Sequence, residues 1–275
     1  NETCLRARAV GYEMAAASEA MGVEAMLLKL EEKDPFVRVS YVDALAKAAS
    51  PENLDMANKV KAIASNEKDV SLAREKALQG LTALAQKTPA MRAAGQRAEL
   101  ITFAKSFLSK SSYMGILEGA ALSLVTELSD EKELSTFANL LEKTTAPWRA
   151  QVVAVNSLGK FSARYPELRA EIRPHLLRFA AKFFPVRVAS QLPSAWAESK
   201  DPIYSSAFES FINRKNYGLL SMLIPRARRT FERFNKNLNS NTAAEKFSEL
   251  SELKSKFMKM EKELEALKEL MGKKG

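Results

Sequence analysis

Asp34-Pro35-Phe36-Val37-Arg38, followed by Ala44-Leu45, is the stretch that decides the fold. Asp ahead of Pro marks a helix start. The carboxylate accepts backbone N–H groups that lack partners in the first turn, and Pro has no N–H to lose there. Related wording returns at Asp69-Val70-Ser71 before Ala77-Leu78 and at Tyr113-Met114-Gly115 before Ala121-Leu122. It appears again at Pro147-Trp148-Arg149 before Leu158-Gly159, and at Pro185-Val186-Arg187-Val188-Ala189 before Ala195-Trp196. Successive copies lie about 33, 44, 34 and 38 residues apart, the range of repeats built from helical pairs. One pair cannot bury its own apolar face, so neighbours must stack into a continuous core. The expected fold is all-α, an α-solenoid of antiparallel helix pairs.

Periodicity outlines the pairs. Amphipathic spacing predicts first helices over Glu19–Leu30, from Pro51 onward, and over Leu100–Leu108, Leu134–Leu141 and Leu168–Phe183. Their partners start at Asp34-Pro35 and run over Val70–Ala85, Ile116–Leu128, Trp148–Phe161 and Val186–Ala197. Small residues such as Ala44, Gly80 and Gly119 fall in the second helices, where close approach between layers needs them. The clearest repeats span 19–200, and 201–236 reads as atypical terminal helices, with Ile203–Ile212 one of them and Pro225 a break. Residues 1–236 are therefore assigned to the solenoid.

Asn235 to Asn241 forms a low-complexity linker, and Thr242 with Glu245 makes a capping box. In 242–271, Leu250, Leu253, Phe257, Met260, Leu264 and Leu267 alternate three and four apart. That is the seam of a coiled-coil-type amphipathic helix. A lone helix of this length is marginal in water. The seam is expected to meet a second copy, an upstream domain or the solenoid's own end.

The chain has 275 residues, is 46% hydrophobic and carries a net charge of +9. Its start lacks an initiator Met and a signal-peptide pattern, so it reads as a piece of a longer, cytoplasmic protein. No apolar run reaches membrane-spanning length. Cys4 is the single cysteine and His175 the single histidine. A disulfide framework, a cysteine-rich zinc site and a multi-histidine site are thereby excluded. No phosphate loop, zinc-peptidase helix motif or dinucleotide fingerprint is present. The expectation is a non-catalytic domain with no cofactor and no metal.

Charge is uneven. Residues 214–236 hold seven basic side chains against Glu232 alone. On a helix Arg226, Arg229 and Arg233 share one face, opposite Phe231, Phe234 and Leu238. These arginines and the 250–267 seam are the candidate interaction surface. Arg38, Arg149 and Arg187 occupy equivalent repeat positions and are expected to form an inter-repeat ladder, with a ligand-facing stripe as the alternative. Trp148 and Trp196, at apolar spacing, are expected in the core. His175, after Pro174, is expected at a helix start.

The Asp-Pro-x-Val-Arg phrase with its following Ala-Leu resembles HEAT repeats. Asp34 to Leu45 matches closely, and Val186-Arg187 and Trp148-Arg149 match in part. Lys33 to Arg38, the late arginine-rich helix and the heptad tail also look like the C-terminal repeat region of zinc aminopeptidases of the aminopeptidase N type. That resemblance implies a non-catalytic domain packed on a catalytic one. The family's zinc motif and Gly-x-Met-Glu-Asn motif are absent here, so no catalytic residue transfers. HEAT-like alkylpurine DNA glycosylases offer the alternative of nucleic-acid binding through 214–236. A HEAT-type di-iron hydroxylase is excluded by the single histidine.

Overall fold

The computed structural model describes residues 5–18, 22–50, 54–110, 112–143, 145–181, 186–213 and 222–239, and among these there is no strand. The helices are α1 (Leu5–Ala17), α2 (Val23–Lys29), α3 (Val37–Ala48), α4 (Leu54–Ser65), α5 (Ser71–Lys87), α6 (Ala94–Lys105) and α7 (Ile116–Leu128). They continue with α8 (Leu134–Glu142), α9 (Trp148–Arg164), α10 (Arg169–Ala181), α11 (Val186–Ala189), α12 (Leu192–Ser199) and α13 (Ser205–Asn213). A last helix, α14, covers 224–239. The fold is all-helical. The predicted heptad helix, with Leu250, Leu253, Phe257, Met260, Leu264 and Leu267, lies outside the described residues.

The chain divides into two units, 1–201 and 202–275. In the first, α1, α3, α5, α7, α9 and α12 touch one another in that order. Against α3, α5, α7, α9 and α12 lie α2, α4, α6, α8 and α10 respectively. The core sits between these rows. Leu27, Val42, Leu45, Met56, Val60, Leu78, Leu81, Leu122, Val125, Phe137, Leu158 and Phe161 are fully buried in it. At roughly 1.5–3 kcal/mol for each large apolar side chain removed from water, this row of contacts is the main force holding the layers together.

Small residues set the layer spacing. A Cβ on Gly80 would stand 3.2 Å from Ala46 Cβ, so α5 rests almost directly on α3. On Gly159 it would come within 2.5 Å of the Ala195 carbonyl oxygen, so the backbones of α9 and α12 are in contact there. In the second unit Phe208 of α13 stacks on Phe231 at 5.0 Å and meets Phe234 at 5.3 Å.

Local chemistry explains the element boundaries. Asp34 Oδ1 accepts from the N–H groups of Phe36 (2.9 Å) and Val37 (3.1 Å), which starts α3. The expected single helix over Val186–Ala197 is instead two. Pro193 has no N–H for the Ala189 carbonyl, and the chain turns at Ser190-Gln191, where Gln191 N–H bonds Val188 O at 3.0 Å. Pro225, expected as a break, sits inside the first turn of α14, where a proline is tolerated. Pro174 and His175 lie within α10 rather than at its start, because the 3₁₀ turn Pro166–Leu168 opens that helix. His175 Nδ1 is 3.9 Å from Glu142.

α1 gives no strong apolar signal and buries no residue completely. Polar contacts hold it to its neighbours. The Tyr12 hydroxyl donates to Glu32 at 3.0 Å, Arg8 lies 3.5 Å from the same carboxylate, and the Tyr12 and Tyr41 rings are 5.2 Å apart.

Candidate interaction surface

The turns that lead into α3, α5, α7, α9 and α11 meet along one edge of the first unit. Arg38 pairs with Asp69, so the start of α3 touches the turn before α5. Lys110 pairs with Glu67, which joins that turn to the one before α7. A Cβ on Gly115 would overlap Pro147, which places the turn before α7 directly on the start of α9. Arg187 at the start of α11 lies over the Trp148 ring.

Apolar side chains stand exposed along this edge. Tyr113 is 77% exposed, Phe36 72% and Leu72 50%, with Met114 and Val186 less so. Single exposed apolar residues are ordinary, whereas a set on contiguous turns marks an interaction surface. The turn carrying Tyr113 is held rigidly in an uncommon conformation. Met114 has φ 52° and Gly115 φ 70°, consecutive left-handed residues. Behind them the buried Glu118 carboxylate accepts the N–H of Ser112 at 2.9 Å and also its hydroxyl. A strained backbone fixed from below is the kind of geometry that functional turns use.

The three repeat arginines are not equivalent. Arg38 makes a rung: it pairs with Asp69 while Nε donates to Glu32 O at 2.8 Å and Nη2 to Lys33 O at 2.9 Å. Arg149 crosses α7 where Gly119 has no side chain, and its Nη1 reaches 3.7 Å from Glu75 on α5. Arg187 donates no hydrogen bond among the described residues and is exposed. The Arg149 and Arg187 guanidinium carbons lie 5.2 and 4.3 Å from the centre of the Trp148 ring, within cation–π range. Trp148 is therefore a half-buried platform for two cations rather than a fully buried core residue, whereas Trp196 is fully buried. The difference follows from position: Trp148 opens its helix, and Trp196 sits mid-helix in α12.

Burial raises the pKa of Glu75 above the usual carboxylate range, against the pull of Arg149 and Lys76. The folded chain thus holds this proton more tightly than the unfolded chain. Its stabilising effect is complete below about pH 4, the unfolded carboxylate range, and is lost as pH rises through the folded value. Glu75→Gln should melt at or above the parent temperature at neutral pH, and the difference should shrink toward zero in acid. Thermal melts across that range check the sign. A Gln variant less stable at neutral pH would show that the Arg149 pair, and not burial, dominates.

Sequence reasoning missed a second set of arginines. Arg92 Nε donates to Ala85 O at 2.7 Å and its Nη2 pairs with Glu127 at the end of α7. Arg169 Nε donates to Ser162 O at 3.1 Å and Nη2 to Ser199 O at the end of α12, 3.3 Å. Each closes its own helix terminus and reaches the next row. The signal was present as a shared phrase, Thr88-Pro89-Ala90-Met91-Arg92 and Tyr165-Pro166-Glu167-Leu168-Arg169, with Pro three places before Arg.

In the second unit Arg226, Arg229 and Arg233 are exposed on α14, while Ala227 and Phe234 are buried. The remaining candidate surface, 250–267, lies outside the described residues. Among the described residues no group of three or more His, Cys, Asp and Glu side chains could hold a metal ion, and no helix is long and apolar enough to cross a membrane. No protein-family model, curated protein or solved structure matches the chain.

Proposed function

We propose that the chain is a non-catalytic interaction module, a HEAT-like α-solenoid of antiparallel helix pairs whose turn edge binds protein. The observation that carries this reading is the contiguous row of turns presenting Phe36, Leu72, Tyr113 and Met114 to solvent beside cations. The order of helix contacts supports the solenoid, since each second helix meets its counterparts in the neighbouring pairs. The wording of Lys33 to Arg38 supports a narrower version, in which the domain packs on the catalytic part of an aminopeptidase N type enzyme.

The test is site-specific photo-crosslinking of the full chain in cells. A photoreactive residue replacing Phe36, Leu72 or Tyr113 should yield protein adducts. The same group at Lys47 or Gln86, toward the other ends of α3 and α5, should yield few. Equal yields from both sets would remove the turn edge as the working surface. A further variant with the photoreactive residue at Arg226 or Arg233 that gives predominantly nucleic-acid adducts would favour the basic segment instead, whose exposed arginines are the specific observation behind that second reading.

A further inference from the structure

We propose that Trp148 with Arg149 and Arg187 is the anion-recognition point of this edge, and that it takes a carboxylate-bearing peptide segment whose adjacent apolar side chain rests on Tyr113 and Met114. The inference rests on the interaction reading above and names the chemistry of the partner.

Arginine stacked on an aromatic ring has given up much of its side-chain freedom before any ligand arrives. The ordering cost of binding is correspondingly reduced. A guanidinium held against a ring keeps its in-plane N–H groups for other partners, the fork geometry that matches a carboxylate, and exposed Arg187 is the one placed to present them to solvent. Arg187 donates to no acceptor among the described residues, and Arg149 Nε is buried with no hydrogen-bond partner. The Arg149–Glu75 separation of 3.7 Å exceeds a hydrogen bond, so that pair leaves donors of Arg149 unspent. Exposed Lys143 in the preceding turn adds to the positive potential.

Two features select protein over nucleic acid. The edge beside the cations is apolar, with the turn Tyr113–Gly115 packed against α9. Further along, the same edge presents Phe36 and Leu72 to solvent, a surface for the side chains of a peptide rather than for a phosphate backbone.

The experiment uses the full chain and three labelled probes: a peptide of Glu, Asp, Leu and Phe, its Gln and Asn counterpart, and a single-stranded oligonucleotide of equal charge. Anisotropy measures affinity. Quenching of the half-buried Trp148, with Trp148→Phe as the control, reports the location. The acidic peptide should bind with salt-sensitive affinity and quench Trp148, and the neutral counterpart should not bind. Arg187→Ala should weaken binding about tenfold, and the double change with Arg149→Ala about a hundredfold. Arg187→Lys keeps the charge but loses the fork and should recover only part. Arg187 is exposed, so its variants keep the fold even where Arg149→Ala perturbs it.

Equal binding to parent and Arg187→Ala, or tighter binding of the oligonucleotide, would overturn the proposal. Failure of every probe would overturn it too. In that case crosslinks at Phe36 and Leu72 would keep the interaction reading alive, and their absence would remove both.

Discussion

Gly159→Ala should lower the stability of the first unit, although the same change at Gly11 should raise it. Alanine is the better helix former by about 1 kcal/mol, and Gly11 in α1 has nothing within 4 Å of the position its Cβ would take. At Gly159 the new Cβ would lie 2.5 Å from Ala195 O and 2.8 Å from Ala195 Cα. Those are backbone atoms and cannot rotate aside, so α12 must move off α9. Overpacking of this kind costs about 3 kcal/mol, which outweighs the propensity gain and leaves a net loss of about 2 kcal/mol. Paired thermal melts of the two variants should shift in opposite directions, and Gly159→Val should shift further down than Gly159→Ala. If Gly159→Ala melts with or above the parent, the helices are not in backbone contact.

The second large effect is expected at Arg38. Its side chain is 20% exposed and that of Asp69 only 2% exposed. Removing the arginine strands a buried carboxylate and takes donors from the Glu32 and Lys33 carbonyls. Breaking a buried pair from one side costs about 3–5 kcal/mol; the partial exposure of Arg38 places Arg38→Ala near about 3 kcal/mol. For a unit of this size that is a fall of roughly 6–12 °C in Tm. Arg187→Ala, exposed on its ring, should change Tm by far less. Arg38→Ala with Asp69→Asn should recover part of the loss, because the second change removes the stranded charge. Equal Tm shifts for Arg38→Ala and Arg187→Ala would mean the two arginines share one role after all.

How much of this was legible beforehand depended on what kind of contact placed each residue. Helices packed through apolar stripes announce themselves, and Ile116–Leu128 is α7 to the residue. The Asp34 cap is likewise local and can be read from its spacing. α1 was invisible because tyrosine, arginine and glutamate contacts from distant segments hold it, and no stripe marks it. Equivalence of Arg38, Arg149 and Arg187 in the repeat did not carry over to their contacts. Each side chain answers to the neighbouring turn, and those turns differ: Asp69 faces Arg38, while an indole ring faces Arg187. The exposed edge was unreadable for the same reason, since its members come from turns as far apart as Phe36 and Val186.

The rungs of Arg92 and Arg169 differ in a way that bears on how such a sequence can drift. Arg169 grips the carbonyls of Ser162 and Ser199. Every amino acid supplies a carbonyl, so positions 162 and 199 can change side chain without loosening that clasp. Arg92 takes one carbonyl and one carboxylate, Ala85 and Glu127, and half of its grip is tied to the identity of a partner. Arg38 depends on Asp69 as well as on two carbonyls. Among relatives of this chain, paired substitutions should therefore surface at 38 with 69 and at 92 with 127. Around 169 no such pairing is expected, because that arginine is held by carbonyls and not by side chains.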